Sequence, residues 1–255
     1  MKTSHKLASA ALLAAVGVAL AAPSATKAVS YDGAQTAKGE GSVKFTTDTS
    51  TNPTNLPPGE STGDPLTEPS QNPNPGALKI VSVTDLDFDT HAIVANDSVK
   101  TYNANPHFDA GSNQTTAHFV RFQDVRADEA TNFYTISAEL TKQFTNAAMS
   151  AELTGATLTY KNVSLVTGTN AATMPTSAVQ AVTPLEYSGN GTTAQTFVSN
   201  KEAGKGFGVF EIMFDTNANA KAGSYDGVTL TVPGSNVLKA GEYVGEITWK
   251  IADAN

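Results

Sequence analysis

The stretch Tyr243-Val244-Gly245-Glu246-Ile247-Thr248-Trp249-Lys250-Ile251, at residues 243–251, decides the fold class. In an extended chain, side chains two residues apart point to the same side. One face of this stretch is therefore expected to carry Tyr243, Gly245, Ile247, Trp249 and Ile251, and the other face Val244, Glu246, Thr248 and Lys250. Such alternation predicts a half-buried β-strand.

Similar runs recur upstream, separated by Gly, Asn, Asp and Pro, which are typical turn residues. They predict strands at residues 78–83, 118–123, 133–140, 158–160, 209–214 and 228–232. The run at 209–214 is apolar on both faces, which favours a central strand. Residues 167–203 show no clear period and are predicted to form long loops that could contain one short helix. The expected fold is all-β, with an antiparallel β-sandwich or Greek-key-like domain.

The segment before the first predicted strand has a different composition. Residues 48–75 are mainly Thr, Ser, Asn, Pro and Glu, with seven prolines and almost no large apolar side chain. Segments of this composition rarely bury enough apolar surface to fold. We therefore expect a disordered Pro-rich linker within an N-terminal leader at residues 29–76, followed by a β domain at residues 77–255.

The first 28 residues have the pattern of a secretory signal peptide. Lys2 and Lys6 precede an apolar run at residues 7–20, and small residues follow it. Cleavage is expected after Ala21 or Ala28. A retained membrane anchor is the weaker alternative, because the run is shorter than the about 18 apolar residues that a membrane helix needs. We expect a secreted, extracellular protein with no membrane span after cleavage.

Charge and composition exclude several function classes. The chain has no cysteine and a formal net charge of −8, so its core cannot rest on disulfides and nucleic acid is a poor partner. The histidines stand apart, and no nucleophile-elbow or zinc-protease motif occurs. No catalytic residue, metal site or cofactor is predicted. Asp215, Asn217, Asn219 and Asp226 resemble a calcium loop only weakly, and an Asn/Asp-rich turn explains them better.

An ordered set of short motifs carries a resemblance to a known family. The motifs lie at residues 41–46, 76–80, 86–88, 119–126, 227–234, 240–243 and 247–251. In this order they resemble the WxL-domain surface proteins of Gram-positive bacteria, over nearly the whole chain after the signal peptide. Asp124 and Arg126 fall within the motif at residues 119–126, where they would form a structural ion pair or contact a ligand.

The resemblance also identifies four candidate site residues. Trp249 and Ile251 match the distal family motif, with Ile where Leu is usual, and Tyr134 and Ile136 match the proximal motif, with Tyr where Trp is usual. The resemblance implies that these four residues form a wall-binding site. If exposed, each pair would offer an apolar platform to the CH faces of sugars. If buried, each pair would belong to the core.

The function that the resemblance implies is non-covalent attachment of the exported protein to the Gram-positive cell wall. Peptidoglycan would be the binding partner, other surface proteins of a WxL-type complex would be further partners, and the protein would be cell-wall associated and non-catalytic. Two alternatives stay open. One is a structural or adhesive component that binds another surface or host protein, and the other is a wall-glycan hydrolase that uses paired carboxylates.

Overall fold

The computed structural model describes residues 30–31, 34–35, 37–38, 42–94, 96–126, 131–189 and 194–254. The predicted signal peptide lies outside the described residues. The chain divides into two compact units, Met1–Phe45 and Thr46–Asn255. In the first unit, β1 (Ser30–Tyr31) pairs with β2 (Ala37–Lys38) in antiparallel fashion.

The second unit is built from antiparallel strands. In chain order they are β3 (Leu78–Val83), β4 (Lys100–Asn103), β5 (His107–Asp109), β6 (Gln114–Thr116), β7 (His118–Asp124), β8 (Tyr134–Asn146), β9 (Ala151–Glu152), β10 (Thr157–Tyr160), β11 (Val163–Val166), β12 (Leu185–Glu186), β13 (Gln195–Asn200), β14 (Gly208–Phe214), β15 (Val228–Val232) and β16 (Val244–Asp253). One sheet has the order β11-β14-β7-β3, a second β12-β10-β15-β4 and a third β13-β8-β16. Strand β9 extends the third sheet beside β8, and β5 and β6 form a separate hairpin.

One hydrophobic core joins the three larger sheets. It draws Phe122 and Phe210 from the first sheet, Leu158 from the second, and Ile136 and Phe197 from the third, all fully buried. The predicted all-β antiparallel class is confirmed. Each strand predicted from alternation is present, and β14 lies between β7 and β11 as a central strand.

Residues 167–203 differ from the predicted long loops. They contain a 3₁₀ turn at Ala171–Thr173, the short strand β12 and the six-residue strand β13. The register of β13 against β8 shifts between Thr196 and Val198. Such a bulge interrupts the two-residue repeat. The neighbouring residues Phe197 and Val198 are therefore both buried. Strand β13 therefore lacks the alternation by which a strand is recognised.

The Asn/Asp-rich stretch after β14 forms helix α1 (Asn217–Ala222). Thr216 caps its first turn, since its side chain accepts a hydrogen bond from the Asn219 backbone N–H. The Asn217 side chain accepts from the Ala117 N–H at 3.1 Å, and the Asn219 amide donates to Asp215 Oδ1 at 2.6 Å. These side chains are used within the fold, in agreement with the turn interpretation.

The Pro-rich segment belongs to the same compact unit as the sheets. Residues 46–76 form no helix or strand, as expected, but Pro57, Pro58, Leu66 and Pro69 are buried. This packing differs from the predicted disordered linker. Composition revealed the lack of apolar side chains in the segment. It could not reveal the polar groups of the sheet that hold the segment in place.

A buried ion pair forms the first of these anchors. Arg121 on β7 and Glu211 on β14 are cross-strand partners, and Arg121 Nε lies 2.9 Å from Glu211 Oε1. The guanidinium also donates to the Asn55 side-chain oxygen and the Leu56 carbonyl, while Glu211 Oε2 accepts from the Gly59 N–H at 3.4 Å. Since buried charges need a full set of partners, the pair holds the segment against the sheet.

A second anchor fixes the segment to the β5–β6 hairpin. Asp109 accepts hydrogen bonds from the Thr67 N–H at 2.7 Å, from Thr67 Oγ1 and from Ser112 Oγ. Burial alone would raise the pKa of Asp109, but the bonds from Ser112 and Thr67 hold it well below its usual range. Gly111 is required at the contact, because an added Cβ would lie 2.1 Å from Thr67 Oγ1. The segment therefore braces the hairpin.

Candidate functional site

The structure brings the two predicted motif pairs together. Tyr134 and Ile136 lie on β8, Trp249 and Ile251 lie on β16, and the two strands pair in antiparallel fashion. Ile251 is directly opposite Ile136, and Trp249 is opposite Ala138. Opposed residues of paired strands share one face of the sheet, so four side chains from distant parts of the sequence form a cross-strand cluster.

This cluster faces the core. Tyr134 and Ile136 are fully buried, while Trp249 and Ile251 are half-buried and pack against core residues. The Tyr134 ring meets the Phe122 ring edge to face at a centroid distance of 5.4 Å, and burial raises the Tyr134 pKa. Of the two arrangements considered from sequence, Tyr134 and Ile136 have the buried one, whereas Trp249 and Ile251 are partly exposed at the edge of the core. The wall-binding role of the four residues stays a prediction.

Trp249 completes an aromatic cluster. Its ring centroid lies 4.7 Å from that of Phe197, 5.7 Å from that of Tyr160 and 5.8 Å from that of Phe214. The contact with Tyr160 is T-shaped, an arrangement that the charge distribution of aromatic rings favours. The four rings come from four strands in three sheets, so Trp249 ties the last strand to the rest of the core.

An ion-pair cluster lies near the ends of β7 and β16. Arg126 binds both carboxylate oxygens of Asp124, with Nε at 3.0 Å and Nη2 at 2.7 Å, and its Nη1 lies 2.8 Å from Asp253 Oδ2. Arg126 also donates to the Phe133 carbonyl at 2.9 Å. The hydrogen bond to Asp124 raises the Arg126 pKa. Of the two predicted roles for this pair, the structure shows the ion pair, through which Arg126 connects the ends of β7 and β16 and the residue before β8.

A surface groove lies elsewhere on the second unit, beside the β5–β6 hairpin. Its volume is about 520 Å³, and it is lined by Asp85, Asp87, Asn105, Pro106, His107, Phe108, Thr115 and His118. Sequence reasoning missed it because its residues come from three separate segments and form no motif. His107 and His118 stand apart in the sequence, yet their rings lie 6.4 Å apart in the fold.

His118 forms the buried side of this groove. Its Nε2 lies 2.8 Å from the Asn105 carbonyl oxygen, and its Nδ1 lies 3.0 Å from Thr84 Oγ1. Burial, reinforced by the nearby His107, lowers the His118 pKa from 6.5 to about 4. The ring is therefore neutral at neutral pH, and both of its nitrogens are engaged within the fold.

We expect His118 to make the stability of the protein depend on pH. Between pH 6.5 and about 4, His118 binds a proton in the unfolded chain but not in the folded one. The free energy of unfolding should therefore decrease as the pH falls through this window, by up to about 3 kcal/mol. Urea unfolding at several pH values would measure it.

The matched variants are His118→Gln and His91→Gln, because His91 is exposed. Glutamine does not titrate, so His118→Gln should reduce the slope of the curve between pH 6.5 and about 4, whereas His91→Gln should leave it unchanged. An unaltered slope in His118→Gln would contradict the assignment.

Fold and surface together define the class of protein. It is an antiparallel β domain with an aromatic cluster at its core, an ordered Pro-rich segment packed on its sheets and a polar surface groove. Within the described ranges, no group of three or more metal-binding side chains occurs. No helix in the described part of the chain combines the length and apolarity that a membrane crossing requires.

The chain belongs to the WxL domain surface cell wall-binding family, whose model matches residues 32–254. This match confirms the resemblance found in the sequence. No curated protein and no solved structure matches the chain. Family membership supports attachment to the cell surface and cell wall in general.

Proposed function

We propose that this protein is an exported, non-catalytic module that attaches non-covalently to the peptidoglycan of the Gram-positive cell wall. The observation that carries the proposal is the family match over residues 32–254. The binding unit would include residues 46–76 as well as the predicted β domain at 77–255, because both belong to one compact unit.

The three buried carboxylates Asp109, Asp124 and Glu211 are not candidates for a paired-acid hydrolase. Asp109 and Asp124 are held by hydrogen bonds and an ion pair, and Glu211 is paired with Arg121. A paired-acid hydrolase needs two carboxyl groups that face substrate. These three carboxylates instead connect parts of the fold.

For the four motif residues, we propose an indirect contribution to wall binding. Tyr134 and Ile136 are buried, and Trp249 packs on three aromatic rings. Their positions support a role in fixing β16 against β8, so that the surface of the domain keeps its shape. Direct contact with sugar would be left to exposed side chains.

Retention on purified cell walls tests the proposed function. Gram-positive walls freed of surface proteins by protease should still retain the protein, and digestion of the loaded walls with a muramidase should release it. An unrelated acidic protein of similar size and charge is the control. Loss of retention after protease treatment of the walls would contradict binding to glycan.

A second function, a structural or adhesive component that binds another protein, is favoured by one observation. Ile93, Val94 and Val99 lie close in sequence and are 50%, 55% and 63% exposed. Contiguous patches of exposed apolar side chains are typical of protein contact surfaces. Loss of retention on protease-treated walls would support this alternative, and a lytic band on a cell-wall zymogram would overturn the non-catalytic proposal.

A further inference from the structure

We propose that the groove beside the β5–β6 hairpin binds a short segment of neutral N-acetylhexosamine glycan, with Phe108 as its stacking platform. This inference rests on the proposed function and names the surface and the wall component involved. The groove has a volume of about 520 Å³, which is within the range of roughly 300–1,000 Å³ typical of small-ligand sites.

The aromatic side chain is the first part of the argument. Phe108 is 57% exposed although it lies in a strand, and Thr115 is its cross-strand partner. Both side chains line the groove. An exposed aromatic ring next to a hydroxyl group suits a sugar, whose CH face packs on the ring while its hydroxyls form hydrogen bonds.

Polar groups surround the ring. Asp85 and Asp87 are exposed, and Asp85 forms no hydrogen bond or ion pair with the described part of the chain. Asn105 is also exposed, and its amide donates to Asp87 Oδ2 at 3.2 Å. Carboxylates and amides are good partners for sugar hydroxyl and acetamido groups, since they offer several acceptors and donors in one plane.

The charge of the groove selects among wall polymers. Its lining residues include two carboxylates and no lysine or arginine, and the His118 ring is neutral because of its burial. The whole chain carries a net charge of −8. The groove carboxylates and the negative net charge of the chain would both repel phosphate-rich anionic polymers. The glycan strand of peptidoglycan carries no such charge and suits the groove better.

Hydrogen bonds and a ring contact hold the walls of the groove. The hairpin is tied to the Pro-rich segment by the Thr67–Asp109 bonds and by the Gln114 amide, which donates to the Asp64 carbonyl at 2.8 Å. The His107 ring meets the Phe119 ring edge to face at 6.3 Å. A preformed site loses little freedom on binding, which favours affinity for a flexible glycan.

Titration of the purified protein with the β-1,4-linked tetramer of N-acetylglucosamine tests this site. Phe108→Ala should weaken binding about tenfold or more, because the stacking contact is lost. Phe108→Tyr should keep most of the affinity. Tyr187→Ala is the matched control, since Tyr187 is 39% exposed and does not line the groove. Melting curves of all variants should coincide within a few degrees.

Salt dependence separates the glycan from a cationic peptide. Binding of the tetramer should persist in about 0.5 M NaCl and weaken only a few-fold in Asp85→Asn, because asparagine still accepts hydrogen bonds. The inference is overturned if folded Phe108→Ala binds the tetramer as the original protein does. It is equally overturned if a lysine-rich peptide binds in the groove and the tetramer does not.

Wall pull-downs show which of the two proposals fails. If the original protein and Phe108→Ala are retained equally, the groove is not the site but the proposed function stands. If the original protein is not retained, the proposed function fails, and the tetramer titration still decides about the groove. If only Phe108→Ala is lost from the walls, both proposals are supported.

Discussion

Replacing Arg121 by methionine is expected to lower the free energy of unfolding by about 3–5 kcal/mol, the range for breaking a buried ion pair. Arg121 is 1% exposed and makes contacts with Glu211, Asn55 and Leu56. Without the guanidinium, the Glu211 carboxylate would be buried without its countercharge. Urea unfolding monitored by tryptophan fluorescence would measure the loss.

The same substitution should release part of the Pro-rich segment. Amide hydrogen exchange at Asn55, Leu56 and Gly59 should accelerate, because the bonds from Arg121 and Glu211 hold this stretch against the sheet. Lys161→Met is the matched control, since Lys161 forms an exposed ion pair with Asp226 at 3.3 Å. That control should cost at most about 1 kcal/mol.

The double variant Arg121→Met with Glu211→Met refines the test. Replacing both charges by apolar groups removes the unpaired carboxylate, so much of the lost stability should return. The amides of Asn55, Leu56 and Gly59 should nevertheless still exchange fast, because the side chains that hold this stretch against the sheet are missing. A single variant as stable as the original protein would show that the ion pair is not the anchor.

Much of the sheet structure could be predicted because alternation reports directly on a face that packs against a core. Strands β7, β8, β14 and β16 all place regularly spaced apolar residues on buried or half-buried faces. Strand β13 could not be predicted, since its bulge makes Phe197 and Val198 both point inward. A local irregularity removed the signal on which the prediction depends.

The Pro-rich segment could not be predicted for a different reason. Its order depends on residues far away in sequence, such as Arg121, which binds Asn55, and Asp109, which binds Thr67. Composition measures how much apolar surface a segment can bury, and here that surface is small. It carries no information on buried polar groups elsewhere that need partners.

The candidate site was predicted in part. The family motifs identified four residues that the fold does bring together, with Ile136 opposite Ile251. Whether such residues point inward cannot be read from a strand whose two faces are both apolar in places. The groove with Phe108 was not predicted, because three segments of different strands and loops form it.

Replacing Trp249 by alanine is expected to lower the free energy of unfolding by about 3 kcal/mol, the low end of the range for large aromatic side chains, because the ring is half-buried. The ring contacts Phe197, Tyr160 and Phe214, and its removal would leave a cavity among them. The melting temperature should fall by about 6–12 °C. Differential scanning calorimetry would measure it.

Trp249→Phe separates a role in the fold from contact with the wall. Phenylalanine keeps part of the ring packing, so we expect a smaller fall in melting temperature, together with unchanged wall retention of the folded protein. Lys250→Ala is the control on the outer face of the same strand, where the side chain is exposed, and it should change neither quantity. If Trp249→Phe keeps its melting temperature but is no longer retained by walls, Trp249 contacts the ligand directly, and the indirect role proposed for the motif is wrong.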